Sequence, residues 1–226
     1  MNHPLDRPIW NALNRRQAGF AVGDARAMRF RPDVNILAAA ADGTPENLAA
    51  LTALVPPGGA IATIDRDPLP IPPGLSVRRQ TIILQMVAAA PVESPRHPEI
   101  IPLNDDDAPE MLALATLTEP GPFLSATHRL GGFVGIRRDG RLIAMAGERN
   151  KLPGLTEVSA VCTHPDYRGQ GLAAIAMRAV IDGIVARGET PFLHSYPDNH
   201  SAIAVYRKLG FEVRAAMTVT FLERQA

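Results

Sequence analysis

The chain has 226 residues, enough for one large domain or two smaller ones. Its 23 lysines and arginines balance 23 aspartates and glutamates, so overall charge gives no support for a nucleic-acid or acidic-membrane partner. A single cysteine excludes an internal disulfide, and no segment has the pattern of a secretion signal or a membrane span, so we expect a cytoplasmic protein.

The first 90 residues alternate helix and strand patterns. A helix is expected from Thr44, because Thr44 is a preferred capping residue, Pro45 suits the first helical position and Glu46 adds negative charge to the first turn. The other predicted elements are a short helix over 7–17, an extended segment over 29–40, and strands over 58–64 and 75–89.

Residues 90–99 are polar and rich in proline, which is typical of a linker. We therefore predict an accessory α/β domain over residues 1–95 and a second domain over residues 96–226. In the second half the patterns that predict helices and strands follow one another more closely. The whole chain is assigned to the α/β class. Its predicted elements are a strand over 99–104, a helix over 105–117, a loop over 118–123, a hairpin over 133–148 turning at Asp139 and Gly140, a strand over 156–164, the longest helix over 168–188, a strand over 190–196, a helix over 198–210 and a strand over 211–223.

The segment Arg168-Gly-Gln-Gly-Leu-Ala-Ala174 lies between a predicted strand and the longest helix, and three anion-binding interpretations compete for it. A nucleoside-triphosphate loop would need a lysine after its second glycine, and none is present. A dinucleotide fingerprint fits the spacing of Gly169, Gly171 and Ala174, with Glu189 at the expected distance. However, that fingerprint normally opens a βαβ series, and Glu189 precedes the next strand instead of following it.

The third interpretation is a cradle for the pyrophosphate of acetyl-coenzyme A. The first amides of a helix have no partner within the helix, so they and the helix dipole can hold a diphosphate. Gly169 and Gly171 would allow the backbone to approach closely, and Arg168 would add a positive charge. The alternative is an ordinary tight turn at the start of a helix.

The segments AVCTHPDYRGQGLAA and NHSAIAVYRKLGF together resemble the GNAT superfamily of acyl-CoA-dependent N-acetyltransferases, and further segments resemble its two-domain bacterial subgroup. The resemblance covers about residues 100–221. It implies a mixed, largely antiparallel central sheet with splayed central strands and flanking helices. It also implies that residues 1–95 are a degenerate GNAT-like half, and that an acetyl group passes directly from acetyl-CoA to an amine.

The resemblance also implies roles for particular residues. Tyr206 would be the general acid that protonates the departing thiolate, the alternative being an aromatic side chain that fills the core beside Phe211. The strand 161–163 would contact the pantetheine arm through its backbone. The implied cofactor contacts are Val161, Cys162, Thr163, Arg168, Gly169, Gln170, Gly171, Leu172, Ala173, Asn199, Ala202 and Tyr206.

Glu157 is the candidate general base, since many members of the family carry a carboxylate on this strand; the alternative is a solvated carboxylate at a strand end. Strand alternation predicts that Glu157, Ser159, Val161 and Thr163 share one face. Cys162 is interpreted as a buried apolar thiol, with a covalent nucleophile as the alternative.

The acceptor side is less well defined by the sequence. Glu119 and Ser195 are candidate substrate-binding residues, and His194 and Ser195 are candidates for water relays. No metal is expected, because the histidines lack ligand spacing. The acceptor would be a small-molecule or peptide amine, without nucleic-acid or membrane partners. The alternative function is a non-catalytic acyl-CoA-binding module.

Overall fold

The computed structural model describes residues 3–88, 97 and 99–226. Within that part of the chain the α-helices are α1 Pro8–Leu13, α2 Pro45–Ala53, α3 Ala108–Thr118, α4 Leu172–Ala186 and α5 His200–Lys208. The strands are β1 Ala21–Gly23, β2 Ala27–Phe30, β3 Ala38–Ala40, β4 Ala60–Asp65, β5 Ser76–Ala88, β6 Ile101–Leu103, β7 Phe133–Arg138, β8 Arg141–Leu152, β9 Leu155–Thr163, β10 Thr190–Ser195 and β11 Phe211–Glu223.

Eight of these strands form the central sheet, in the order β4-β11-β5-β10-β9-β8-β7-β6. Its described neighbours pair antiparallel except for β9 and β10, which run parallel. A second sheet has the order β1-β2-β3. The predicted α/β class with a mixed, largely antiparallel sheet is therefore confirmed.

The first segment of the chain contributes directly to the central sheet. β5 lies between β10 and β11, and β4 forms the edge beyond β11. Because these long-range pairs join the two predicted domains in one hydrogen-bonded sheet, the sheet is complete only with strands from both. The predicted linker over 90–99 falls mostly outside the described residues, and the division at residue 95 stays a prediction.

Helices cover both faces of the central sheet. On β8, Ala144 belongs to the apolar cluster that contains Val180 and Ile181 of α4, whereas Met145 belongs to the cluster that contains Met111 of α3. Successive strand residues point to opposite faces, so one face packs against α4 and the other against α3. We call these the α4 face and the α3 face.

Most predicted elements are confirmed, with two local differences. The extended segment over 29–40 is interrupted, because the chain turns between β2 and β3 after Pro32. Thr44 occupies the capping position of α2, but its side chain does not cap the helix. Its hydroxyl instead donates to Asp42 at 2.7 Å, and the same carboxylate oxygen accepts from Asn47.

Across the described residues, none of the helices combines the length and the apolar composition needed to cross a membrane.

Candidate functional site

A gap opens where β9 and β10 part. The two strands pair from Leu155 and Thr190 as far as Glu157 and Phe192. β9 then continues to Thr163 and β10 to Ser195 without further pairing between them. The facing edges of two parallel strands are thus left free at the centre of the sheet, which is an unusual place for unpaired backbone groups.

A bulge in β9 accompanies this gap. Cys162 pairs with Met145 and Ser159 pairs with Gly147, so three steps along β9 correspond to two along β8. Ala160 within the bulge has a φ of 52°, which is unusual for a residue other than glycine.

The bulge changes which side chains share a face. Ser159 and Cys162 both lie on the α3 face, and Val161 packs against the cluster on the α4 face. The prediction that Glu157 and Ser159 share a face with Val161 and Thr163 is therefore wrong, because the extra residue shifts the alternation by one.

A cavity of about 530 Å³ lies at the gap. Of the predicted cofactor contacts, Gln170 does not line it. Those that do are Val161, Cys162, Thr163, Arg168, Gly169, Gly171, Leu172, Ala173, Asn199, Ala202 and Tyr206. The sequence analysis missed the other lining residues, which are Thr118, Tyr167, Ala174, Met177, Ser201 and Val205.

The N-terminus of α4 forms one end of the cavity. Gly171 is its capping residue, with a φ of 77° and no side chain to bond the first amides. The bond from Ile175 N–H to the Gly171 carbonyl is the first of the helical ladder, so the amides of residues 172–174 precede it. Gly169 has a φ of 79°, and Arg168 beside it is exposed. These amides and the guanidinium can together hold an anion.

The start of α5 forms another wall. Asn199 caps this helix, because its side-chain oxygen accepts from the Ala202 amide at 3.3 Å and from the Ser201 hydroxyl at 3.3 Å. Tyr206, two turns further on, packs edge-to-face on Phe211 with ring centroids 6.4 Å apart and also lines the cavity. Burial raises the pKa of the Tyr206 phenol, so it stays protonated at neutral pH.

Cys162 reaches the cavity from the α3 face beside Thr118. Cys162 is 6% exposed, and burial raises the pKa of its thiol to about 11 despite an opposing hydrogen bond with Thr118. Such a thiol is almost entirely protonated at neutral pH, which disfavours a covalent nucleophile. Next to it, the Thr163 hydroxyl is buried without a hydrogen-bond partner among the described residues, so a polar group entering the cavity could satisfy it.

Glu157 does not line the cavity; it is fully buried in a polar network. Its carboxylate accepts from Arg149 Nη2 at 2.7 Å and Nε at 3.0 Å, and from Asn150 Nδ2 at 2.6 Å. His194 Nδ1 lies 2.7 Å from the same carboxylate. Burial alone would raise the pKa of Glu157, but Arg149 and His194 outweigh it and hold the pKa well below its usual range.

Hydrogen bonds fix the tautomer of His194. Gln85 Oε1 accepts from Arg214 Nε at 2.6 Å, and Gln85 Nε2 donates to the Leu5 carbonyl at 3.0 Å. Gln85 therefore presents its amide nitrogen, a donor, to His194 Nε2 at 3.0 Å. Nε2 of His194 must therefore accept this hydrogen bond. Nδ1 then carries the ring proton and donates a hydrogen bond to Glu157. Both ring nitrogens are thus occupied, which disfavours the predicted water relay.

The two predicted substrate residues are not among those that line the cavity. Glu119 ends α3 in the left-handed conformation, with a φ of 49°, and its side chain is exposed. Ser195 is 8% exposed, and its hydroxyl donates to the Tyr196 carbonyl at 3.3 Å. Their roles stay predictions. Among the described residues, no group of three or more histidine, cysteine, aspartate or glutamate side chains could hold a metal ion.

Comparisons with known proteins show which family the chain resembles. Residues 133–220 match the family model described as FR47-like protein. A crystal structure from Novosphingobium aromaticivorans DSM 12444, assigned there to the GNAT family, is 48% identical, covers 100% of both chains and superposes with a TM-score of 0.94. A GCN5-related N-acetyltransferase from Kribbella flavida, 19% identical over 94% of each chain with a TM-score of 0.64, shares the fold.

A curated protein also matches the C-terminal motifs. N-alpha-acetyltransferase RimI of Mycobacterium tuberculosis (strain ATCC 25618 / H37Rv) is 34% identical over 83 residues, which are 35% of this chain and 51% of that protein. The match thus spans about half the length of the curated relative. The Novosphingobium structure, in contrast, matches from end to end. The chain therefore belongs to the GNAT family of N-acetyltransferases, as its motifs predicted.

Proposed function

We propose that the protein transfers an acetyl group from acetyl-CoA to an amine by direct attack within a ternary complex. The observation that carries this proposal is that one cavity is lined by the N-terminus of α4, the free edge of β9 and Tyr206. Those three features supply anion binding, backbone hydrogen bonds and a proton donor.

The diphosphate and the pantetheine arm of acetyl-CoA each have matching groups in the cavity. The amides of residues 172–174 and the Arg168 guanidinium suit the diphosphate. The unpaired edge of β9 over 161–163 suits the amide-bearing pantetheine arm, since both offer backbone-like donors and acceptors. The Thr163 hydroxyl offers a further polar contact. Gln170, which does not line the cavity, is left out of this assignment.

The reaction has a simple balance of bonds and protons. The amine nitrogen attacks the thioester carbonyl carbon, a carbon–nitrogen bond forms, and the carbon–sulfur bond breaks. Tyr206 gives its phenolic proton to the departing thiolate and then regains a proton from water; its raised pKa keeps the phenol protonated before the reaction. The nitrogen loses one proton to water, because the fully buried Glu157 is bound to Arg149, Asn150 and His194 and is a poor base.

The acceptor approaches from the α3 face. Cys162 and Thr118 line the cavity from that face, whereas the α4 N-terminus lies at the other side of the sheet. The loop over 118–123 begins at Thr118, the last residue of α3, and borders this approach. The amine and the thioester would thus meet in the gap between β9 and β10, where no strand pairing blocks them.

We also propose that residues 1–95 act as an accessory segment that supplies side chains to this site and stabilises it. β5 supplies Gln85, which orients His194. Gln17, beyond α1, donates to the Arg149 carbonyl at 2.7 Å and accepts from the Lys151 amide at 3.0 Å. Both contacts reach the strand that carries Arg149.

Two measurements test the proposed function together. Acetyl-CoA should raise the melting temperature of the protein, whereas NAD should not. With a suitable amine from a test panel, the protein should release free thiol from acetyl-CoA faster than it does without an amine. Binding of acetyl-CoA without thiol release by any amine would favour a non-catalytic acyl-CoA-binding module. A stabilising effect of NAD alone would favour the dinucleotide interpretation.

A further inference from the structure

One nitrogen of the Arg149 guanidinium, Nη1, is not bonded to Glu157 and lies on the acceptor side of the site. Nε and Nη2 of the same guanidinium are both held by Glu157, at 3.0 and 2.7 Å. Nη1 makes no hydrogen bond to a described residue, and the Arg149 side chain keeps 13% of its surface exposed. A Cβ on Gly121 would lie 4.0 Å from Nη1, which puts this nitrogen against the loop over 118–123.

The ion pair has a fixed direction. The Arg149 side chain keeps 13% of its surface exposed, whereas the Glu157 side chain keeps none. Glu157 is held from the other side by Asn150 and His194, so its carboxylate cannot swing out. The negative group therefore points inward and the free N–H groups of Nη1 point toward the acceptor approach.

A second cation lies beyond the end of β10. Tyr196, the residue after that strand, is 38% exposed. The Arg79 guanidinium stands 5.3 Å from the centroid of the Tyr196 ring. Arg79 makes no ion pair with a described carboxylate, so it adds a positive charge beside Tyr196.

Arg149 and Glu157 also lie at the level of the sheet where an acceptor would enter the gap. Glu157 pairs with Phe192 at the last rung before β9 and β10 part. Arg149 on β8 bonds Glu157 at that rung, so it stands at the point where the gap begins. Thr118 lines the cavity, and a Cβ on Gly121 would lie 4.0 Å from Arg149 Nη1, so the same short loop borders both.

We propose that Arg149 binds a carboxylate on the acceptor, so that the acceptor is an amino acid or a closely related amine that carries a carboxylate. Glu157 is then a positioning residue that holds the guanidinium with Nη1 outward. This inference rests on the proposed function, because it concerns the second substrate of the same site. A peptide N-terminus, whose α-carboxylate is consumed in the peptide bond, would lack the group that Arg149 recognises.

The test compares paired acceptors and two variants. Acetylation of a set of L-amino acids and of their carboxamides is measured with acetyl-CoA, at a pH where both amines are deprotonated. The wild type should favour carboxylates by about 10- to 100-fold in kcat/KM, the range expected for a hydrogen bond to a charged group. The preference should lie in KM and not in kcat, because the carboxylate is remote from the reacting atoms.

The variant Glu157→Gln should weaken the carboxylate preference through KM, because the amide keeps only one of the two acceptor oxygens that hold the Arg149 fork. The double variant Arg149→Gln with Glu157→Gln should lose the preference, so that amino acids and carboxamides have similar kcat/KM, and it leaves no buried charge unpaired. If the double variant does not fold, as judged by its melting temperature and its stabilisation by acetyl-CoA, Arg149→Lys replaces it. The lysine keeps the positive charge but not the forked donor geometry of the guanidinium. The preference for amino acids over carboxamides should therefore fall at least several-fold.

The outcomes separate this inference from the proposed function. Equal use of amino acids and carboxamides, or faster use of short peptides, would overturn the role of Arg149 while leaving acetyl transfer intact. Equal loss of kcat for both acceptors in Glu157→Gln would overturn the positioning role and support a general base. Failure of every amine, with acetyl-CoA still bound, would overturn the proposed function itself.

Discussion

The two sides of the gap between β9 and β10 are built in opposite ways. On the α4 face the site consists of backbone amides, glycines and one exposed arginine, and its groups are free to meet a ligand. On the α3 face it consists of charged side chains that bond one another in the interior. The first side is preorganised by backbone conformation, and the second by a buried network.

The difference shows how each side depends on its surroundings. A helix N-terminus needs only a local change of backbone direction, which Gly169 and Gly171 provide. The network needs residues from β5, β8, β9 and β10, because Gln85, Arg149, Glu157 and His194 each lie on a different strand. We therefore expect substitutions on the α4 face to affect ligand binding, and substitutions in the network to affect stability and acceptor choice.

The largest effect is expected for Gly171→Asp. It places a carboxylate where the diphosphate is proposed to bind and forces a side chain onto a φ of 77°. Acetyl-CoA affinity, measured by calorimetry, should fall about 1,000-fold, since like charges about 4 Å apart cost on the order of 4 kcal/mol near a protein surface. The matched control is Gly154→Asp, which has a similar φ of 71° and open space around it but lies outside the cavity lining. Equal affinities for both variants would disprove the cradle.

Tyr206→Phe should lower kcat by about 100-fold or more, which is the usual contribution of a general acid, and should leave acetyl-CoA affinity nearly unchanged. Because burial raises the pKa of Tyr206, its ionisation should limit the rate only above the ordinary phenol value of about 10. Tyr167→Phe, on another tyrosine of the cavity wall, is the control and should stay active. Full activity of Tyr206→Phe would remove the phenol from the reaction.

Glu157→Ala should destabilise the fold by about 3 kcal/mol or more, because it leaves the Arg149 charge buried without its partner. Urea unfolding measures this loss, and Glu119→Ala, at an exposed carboxylate, is the control. The folded-state pKa of Glu157 is lowered, so its stabilisation is present above the unfolded value of about 4.3 and is lost as the pH falls through the folded value. A loss that persists unchanged in strong acid would contradict this account.

Arg168→Ala should weaken acetyl-CoA binding by about tenfold, less than Gly171→Asp, because the guanidinium is exposed and adds to amides that remain. The weakening should shrink at high salt. Arg26→Ala removes a similarly exposed arginine that pairs with Asp24 and should leave binding unchanged. An affinity of Arg168→Ala equal to that of the wild type would restrict the cradle to backbone groups.

The smallest effect is expected for Cys162→Ser. The thiol has a pKa of about 11 because it is buried, so it should react slowly with iodoacetamide at neutral pH, and the serine variant should retain most of its turnover. A trapped acetyl-thioester on the protein, together with an inactive serine variant, would revive the covalent route.

Local sequence was sufficient for the elements and for the α4 side of the site. Helix periodicity, the glycines at 169 and 171, and the cap at Asn199 act over a few residues, so their structural consequences can be deduced without the rest of the chain. The hairpin at Asp139 and Gly140 formed for the same reason: both residues have the positive φ that a tight hairpin turn requires.

The α3 side could not be deduced in this way. Strand alternation assigned Glu157 to the wrong set of neighbours, because one extra residue at Ala160 reverses the faces beyond it. The alternation rule carries no information about where a bulge will form. The carboxylate was therefore expected near the cofactor, whereas it lies in the interior with Arg149.

The amino-acid sequence alone carries the class of fold, the family and the glycine turn before α4, since these depend on spacings within a single strand–turn–helix unit. Tertiary structure alone decided that β5 enters the sheet between β10 and β11, and that polar side chains of four strands meet behind the gap. The physical reason is that a pairing between residues about 100 positions apart depends on the packing of the whole core, which no local pattern records.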